Sequence, residues 1–156
     1  MIRSGLCCIF KKEPVKFKQT TARAISRLSS DERIRKLSAV CLENTKSLMT
    51  ALETVKRLGI KSFRISSPLF PLYTHPEYGY SLDSLPDNCE IRKIFDMIKK
   101  FRKTNDIRLS FHPDQFVVIS SPNPDVVKNS FAELSYQAML CGLCGADVIN
   151  MHGGGV

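Results

Sequence analysis

The sequence predicts an α/β fold, about the first four strands and three helices of a (β/α)8 TIM barrel. Three observations predict it. Strand-like apolar runs alternate with long stripes of helical period in the order β-α-β-α-β-α-β, which means a mostly parallel sheet with right-handed crossovers. The loop after the first strand lacks the G-x-G-x-x-G of a doubly wound dinucleotide fold. Gly153-Gly154-Gly155 follows the fourth strand, where a glycine loop leads into another helix, and the chain has 156 residues against about 250 for a whole barrel. Residues 1–156 are therefore expected to be the N-terminal half of one barrel domain.

Each element has a local cause. Residues 2–9 read as the first strand, followed by a basic loop. Ser29 and Glu32 have the spacing of a capping box, in which each satisfies the other's free backbone N–H. Ile34, Leu37, Cys41, Leu48, Leu52 and Val55 then recur at helical spacing, and Gly59 stops the helix. Residues 60–66 form the second strand. Residues 67–88 hold four prolines and three of the four tyrosines, too long a stretch for a plain connector. The second helix is expected over 90–103, with Ile91, Ile94, Phe95, Ile98 and Phe101 on one stripe, and the third strand over 107–111. Asn123 caps the third helix with Pro124 at its first position, and Gly145 ends it. Residues 146–151 form the fourth strand. No internal repeat or low-complexity segment interrupts this order.

The chemistry-bearing pattern is the histidines. His75 lies in the loop after the second strand, His112 ends the third, and His152 ends the fourth; there is no other histidine. In a parallel α/β fold such positions gather on one face, where these folds place their sites. Three neutral imidazoles there make a divalent-metal site hypothesis. A single histidine is more often a satisfied core or loop residue, but three at strand ends are less readily coincidence. Pro113 turns the chain directly after His112, Asp114 and Gln115 present polar groups, and Phe116 lies near the loop tip or packs beneath the loop.

Bulk properties bound the rest. The formal charge is +8, from 23 Lys and Arg against 15 Asp and Glu, which favours a polyanionic partner without specifying one. Phe10-Lys11-Lys12 and Lys16-Phe17-Lys18 interleave rings and cations, a pattern that touches phosphates while its rings stack on bases, or else a solvated loop held by two phenylalanines. Charges interrupt every apolar stretch, so no transmembrane helix and no secretory signal is expected, and the default location is cytoplasmic. The six cysteines are expected to be reduced. Cys141 and Cys144 form a C-x-x-C inside a helical pattern with no second pair, which reads as inert thiols. Cys7 and Cys8 end the first strand, where one of the two is expected to face the histidine rim, Cys41 joins a helix stripe, and Cys89 lies just before a helix.

The strings R-S-G-L-C-C-I-F, F-R-I-S-S-P-L-F-P-L-Y-T-H-P, L-S-F-H-P-D-Q-F-V-V-I-S-S-P, V-V-K-N-S-F-A-E-L-S-Y and I-N-M-H-G-G-G-V resemble the N-terminal half of UV damage endonucleases, in order and over nearly the whole chain. The resemblance implies a TIM barrel that nicks double-stranded DNA 5′ of ultraviolet photoproducts and opens an excision-repair route. It implies a cluster of divalent ions, commonly Mn2+, with Mg2+, Zn2+ and Co2+ as alternatives. By motif, His75, His112 and His152 correspond to metal ligands, His112 and His152 being also catalytic. Gln115 and Phe116 correspond to the pair wedged into the duplex at the lesion. Lys11, Lys12, Lys16 and Lys18 would then position phosphates without reading sequence. The family's further ligands come from later strands, so the parent protein, a monomer at full length, is the expected enzyme and this chain alone is expected to be inactive. Two other readings compete. A barrel sugar isomerase or epimerase also places metals at this rim, but gains nothing from the charge or the basic segment. A non-catalytic remnant would bind DNA or metal weakly.

Overall fold

A computed structural model describes residues 4–153. The expected start of the first strand at Ile2, and Gly154 and Gly155, lie outside them. Four short strands, β1 (Gly5–Cys7), β2 (Ser62–Arg64), β3 (Arg108–Phe111) and β4 (Val148–Ile149), form one sheet in the order β1-β2-β3-β4, every pair parallel. A doubly wound sheet reverses its order partway; a barrel does not. Sequential order with right-handed crossovers places all the connecting helices on one side of the sheet, as in half a barrel.

Register and the two-residue period of a strand sort the side chains. Leu6, Phe63 and Leu109 are in line across β1, β2 and β3, and Phe111 is paired with Ile149. These face the helices, and Phe63, Leu109 and Phe111 are fully buried. The opposite, concave face carries Gly5 and Cys7, Ser62 and Arg64, and Arg108 and Ser110, which are exposed or half-buried.

The helices follow the sequence rules with one short helix added. α1 (Ala22–Ile25) is a single turn capped by Thr21, and buries Ile25. It is too short for periodicity to reveal it. α2 (Ser30–Arg57) begins with the complete Ser29–Glu32 capping box and ends before Gly59, whose φ of 70° suits the left-handed position after a helix. Leu37, Cys41, Leu48, Leu52 and Val55 of the expected stripe are buried, with Ile34 packed at its edge. α3 (Asn88–Thr104) starts two residues before the expected position, so Cys89 lies inside it. The start is set by a contact between helices: Ser38 Oγ accepts from the Asp87 backbone N–H at 2.9 Å and donates to its carboxylate at 2.6 Å. α4 (Pro124–Cys144) has the Asn123 cap, Pro124 at its start and Gly145 at its end.

The long segment between β2 and α3 is ordered by side chains rather than by a ladder, with one 3-10 turn at Leu82–Ser84. Tyr73 stacks on Tyr136 of α4 at 4.7 Å and meets Tyr80 edge-on at 5.2 Å. Asn44 of α2, fully buried, donates to the carbonyls of Lys18 and Leu69 at 2.9 and 2.8 Å and accepts from the Lys18 N–H at 2.6 Å. One amide thus fastens both the basic segment and the segment after β2 to the same helix.

Candidate functional site

The C-terminal ends of β1, β2 and β3 and the stretch after β4 wall a cavity of about 600 Å³. Cys8, Arg64, His112, Gln115, Glu133 and His152 are among its lining residues. Each polar group arrives on a strand end or the loop after it, except Glu133 and Tyr136, which α4 presents.

His112 alternates away from the buried Phe111 and is half-buried. Its Nδ1 lies 2.8 Å from the Pro113 carbonyl oxygen. A carbonyl can only accept, so Nδ1 carries the proton and, in the neutral ring, Nε2 keeps the free lone pair. A backbone carbonyl on one imidazole nitrogen, with the other free, is the arrangement that orients a metal-binding histidine. His152 lies three residues beyond β4 and is exposed, and its ring sits edge-on to that of His112, centroids 4.8 Å apart at 80°. The donor chemistry of this pair fits a divalent transition-metal ion, as two members of a ligand set.

The structure does not bring His75 to them. Its Nδ1 accepts from the backbone N–H groups of Glu77 and Tyr78, each at 3.2 Å, and its ring stacks on Tyr78 at 5.0 Å. That acceptor role puts the neutral proton on Nε2, the reverse of His112. His75 caps its own turn, closed by the Gly79 N–H on the His75 carbonyl at 2.8 Å. A Cβ at position 79 would come within 2.5 Å of that carbonyl, so glycine is required there. Thr74, its neighbour, does line the cavity. Among the described residues, no group of three His, Cys, Asp or Glu side chains is placed to hold a metal ion.

The loop after His112 separates its two notable residues. Asp114 and Gln115 line the cavity. The Asp114 carboxylate accepts from the Phe116 N–H at 3.1 Å, and its carbonyl accepts from Val117 at 2.9 Å. This turn buries Val117 and leaves Phe116 76% exposed, so Phe116 does not pack beneath the loop.

Phe10 packs on Phe63 at 5.7 Å, and Phe10 and Phe17, both half-buried, rest against the core while lining a second groove. Lys11, Lys12 and Lys16 are exposed, and Lys16 lines the same groove, which shares Cys8 and Ser66 with the main cavity. Lys18 is paired with Glu43.

All six cysteines are free. Burial pushes Cys141 up to about 11 and Cys144 to about 12, so the C-x-x-C on α4 holds poorly ionised thiols. Cys8 is the one that reaches the rim. It has a φ of 57°, lines the cavity and accepts from Arg64 Nε at 3.3 Å.

Sequence reasoning missed Glu133, Tyr136 and Ser67. Glu133 accepts from Thr74 Oγ1 at 3.2 Å and Gln137 Nε2 at 3.1 Å. It lies on a helix rather than at a strand end, and the strand-end rule does not look there.

The model of the family described as UV-endonuclease UvdE matches residues 2–156. This chain belongs to the UV-endonuclease family. Among its relatives, the UV DNA damage endonuclease of Bacillus velezensis is 30% identical over 151 residues, 95% of this chain and 45% of that protein. The UV DNA damage endonuclease of Nostoc sp. is 32% identical over 157 residues, 96% of this chain and 47% of that protein. The solved structure titled "Crystal Structure of SacUVDE" superposes with a TM-score of 0.80 at 31% identity, covering 99% of this chain and 50% of that one. The chain thus spans about half the length of the UV endonucleases it matches. No helix among the described residues is long and apolar enough to cross a membrane.

Proposed function

We propose that this chain supplies the first half of the catalytic barrel of a metal-dependent DNA repair endonuclease that incises double-stranded DNA immediately 5′ of UV photoproducts. The observation that carries the reading is the His112–His152 pair at the strand ends, with Nε2 of His112 free to bind an ion. A bound divalent ion, Mn2+ by family resemblance, would lower the pKa of water and stabilise charge on a phosphodiester. His112 and His152 hold that ion, while His75 keeps the loop beneath the rim in shape and joins the ligands only if its turn opens. Gln115 faces the cavity and Phe116 projects from it, a disposition suited to filling the gap left when a lesion is drawn out of the stack. A crosslinked pyrimidine pair stacks poorly, so extruding it costs less than extruding normal bases. Lys16 holds phosphates along the second groove, the exposed Lys11 and Lys12 hold others, and Lys18 contributes less because Glu43 offsets it. Two donors are an incomplete set, so the 156-residue chain alone does not nick DNA. We place the full-length enzyme in the cytoplasm as a monomer.

The test is plasmid nicking by this chain joined to the second half of the Nostoc relative. Nicking of irradiated plasmid with Mn2+, none with chelator, and a 5′ cut mapped on an end-labelled duplex are expected. Nicking that ignores irradiation, or persists with chelator, would overturn the reading.

A further inference from the structure

We propose that Tyr136 is a positioning residue that acts on His112 through Ser67. The inference rests on the reading of His112 as a metal donor, and extends it to a buried residue on α4.

Tyr136 is buried on α4, a helix away from the strand end it controls. Its hydroxyl accepts from the Phe70 backbone N–H at 2.8 Å and donates to the Ser67 carbonyl at 3.2 Å. Ser67 in turn donates from Oγ to the His112 carbonyl. That carbonyl belongs to the peptide joining His112 to Pro113. The Pro113 carbonyl is the acceptor that sets the His112 tautomer. The relay therefore runs Tyr136, Ser67, the His112–Pro113 peptide, and then the imidazole. Stacking of Tyr136 on Tyr73 holds the phenol in place. Removing the hydroxyl leaves the Phe70 N–H and the Ser67 carbonyl without this partner and lets the segment after β2 shift. The His112 peptide then loses its reference point, and with it the Nδ1–H tautomer that frees Nε2. Outer partners of metal-binding histidines usually carry about 10- to 100-fold in affinity.

The experiment uses the whole 156-residue chain, 15N-labelled, as wild type, Tyr136→Phe and Ser67→Ala. Ring-nitrogen shifts report the His112 tautomer without metal, and the visible absorption of added Co2+ reports affinity. The wild type is expected in the Nδ1–H form. Both variants are expected to gain Nε2–H form and to lose about tenfold or more in Co2+ affinity. Ser67→Ala keeps the Tyr136 hydrogen bonds, since those use backbone groups, and decides the matter if Tyr136→Phe fails to fold. An unchanged His112 tautomer in Ser67→Ala would overturn the relay. Absence of Co2+ binding in the wild type would instead count against the metal reading, and the tautomer measurement would still decide the relay.

Discussion

Asn44 ties the basic segment and the segment after β2 to one helix with three hydrogen bonds. Asn44→Ala strands the buried backbone groups it serves, and should cost about 2–4 kcal/mol. Urea unfolding checks this; a loss below about 1 kcal/mol would show that water replaces the amide. No periodicity marks such a residue, since a polar side chain inside an apolar stripe reads as a solvated position. His112 was legible for the opposite reason: Pro113 fixes its direction locally. His75 has an equally suggestive place in the sequence, but two neighbouring backbone N–H groups claim its lone pair. Buried thiols set a pH limit. Cys41 and Cys144 have an ordinary value of 9.0 and are pushed to about 12 by burial. Above pH 9 the unfolded state binds fewer protons than the folded one, so stability is full below pH 9 and falls as pH rises towards 12. At pH 10 each thiol should cost about 1 kcal/mol. Melting temperatures from pH 8 to 10 check the sign, and Cys41→Ala should flatten part of the slope.

At the scale of elements, caps and stops were legible because they are local. The Ser29–Glu32 box, Gly59, the Asn123 cap and Gly145 all stand where their chemistry predicts. Strand lengths were overestimated: β4 pairs over two residues where six were expected. What holds β4 is a side-chain clamp. Arg102 of α3 donates to both Asp147 oxygens at 2.6 Å and to the carbonyls of Ile107 and Gly145, and Asp147 accepts from the Leu109 N–H at 2.8 Å. The clamp joins α3, β3 and β4 at the end opposite the histidines. Asp147→Asn should destabilise the chain by about 2 kcal/mol, with Arg102→Ala non-additive to it. Additive losses in a double-mutant cycle would show that the clamp is not one unit.

Over the whole molecule, strand order settles the architecture. The alternation in sequence leaves a doubly wound sheet and a barrel both open, and the order β1-β2-β3-β4 selects the barrel. The second property of the whole is charge. With a net charge of +8, affinity for duplex DNA should fall steeply with salt. Replacing Lys11 or Lys16 by Ala in the barrel completed with the Nostoc half should reduce the slope of log affinity against log salt by about one each, and Lys18→Ala by less. Equal changes for all three would show that Glu43 does not offset Lys18. The concave face, with Arg64, Arg108 and Ser110 exposed or half-buried, is the inner surface that a closed barrel covers. On the proposed reading the described residues leave the site incomplete too, with two imidazoles where a catalytic ion needs about three protein ligands. The most direct measurement is nicking of irradiated plasmid by that completed barrel, as wild type and His112→Ala with Mn2+. The account predicts that nicking disappears in His112→Ala while binding to irradiated duplex persists. Nicking by His112→Ala at the wild-type rate would contradict it.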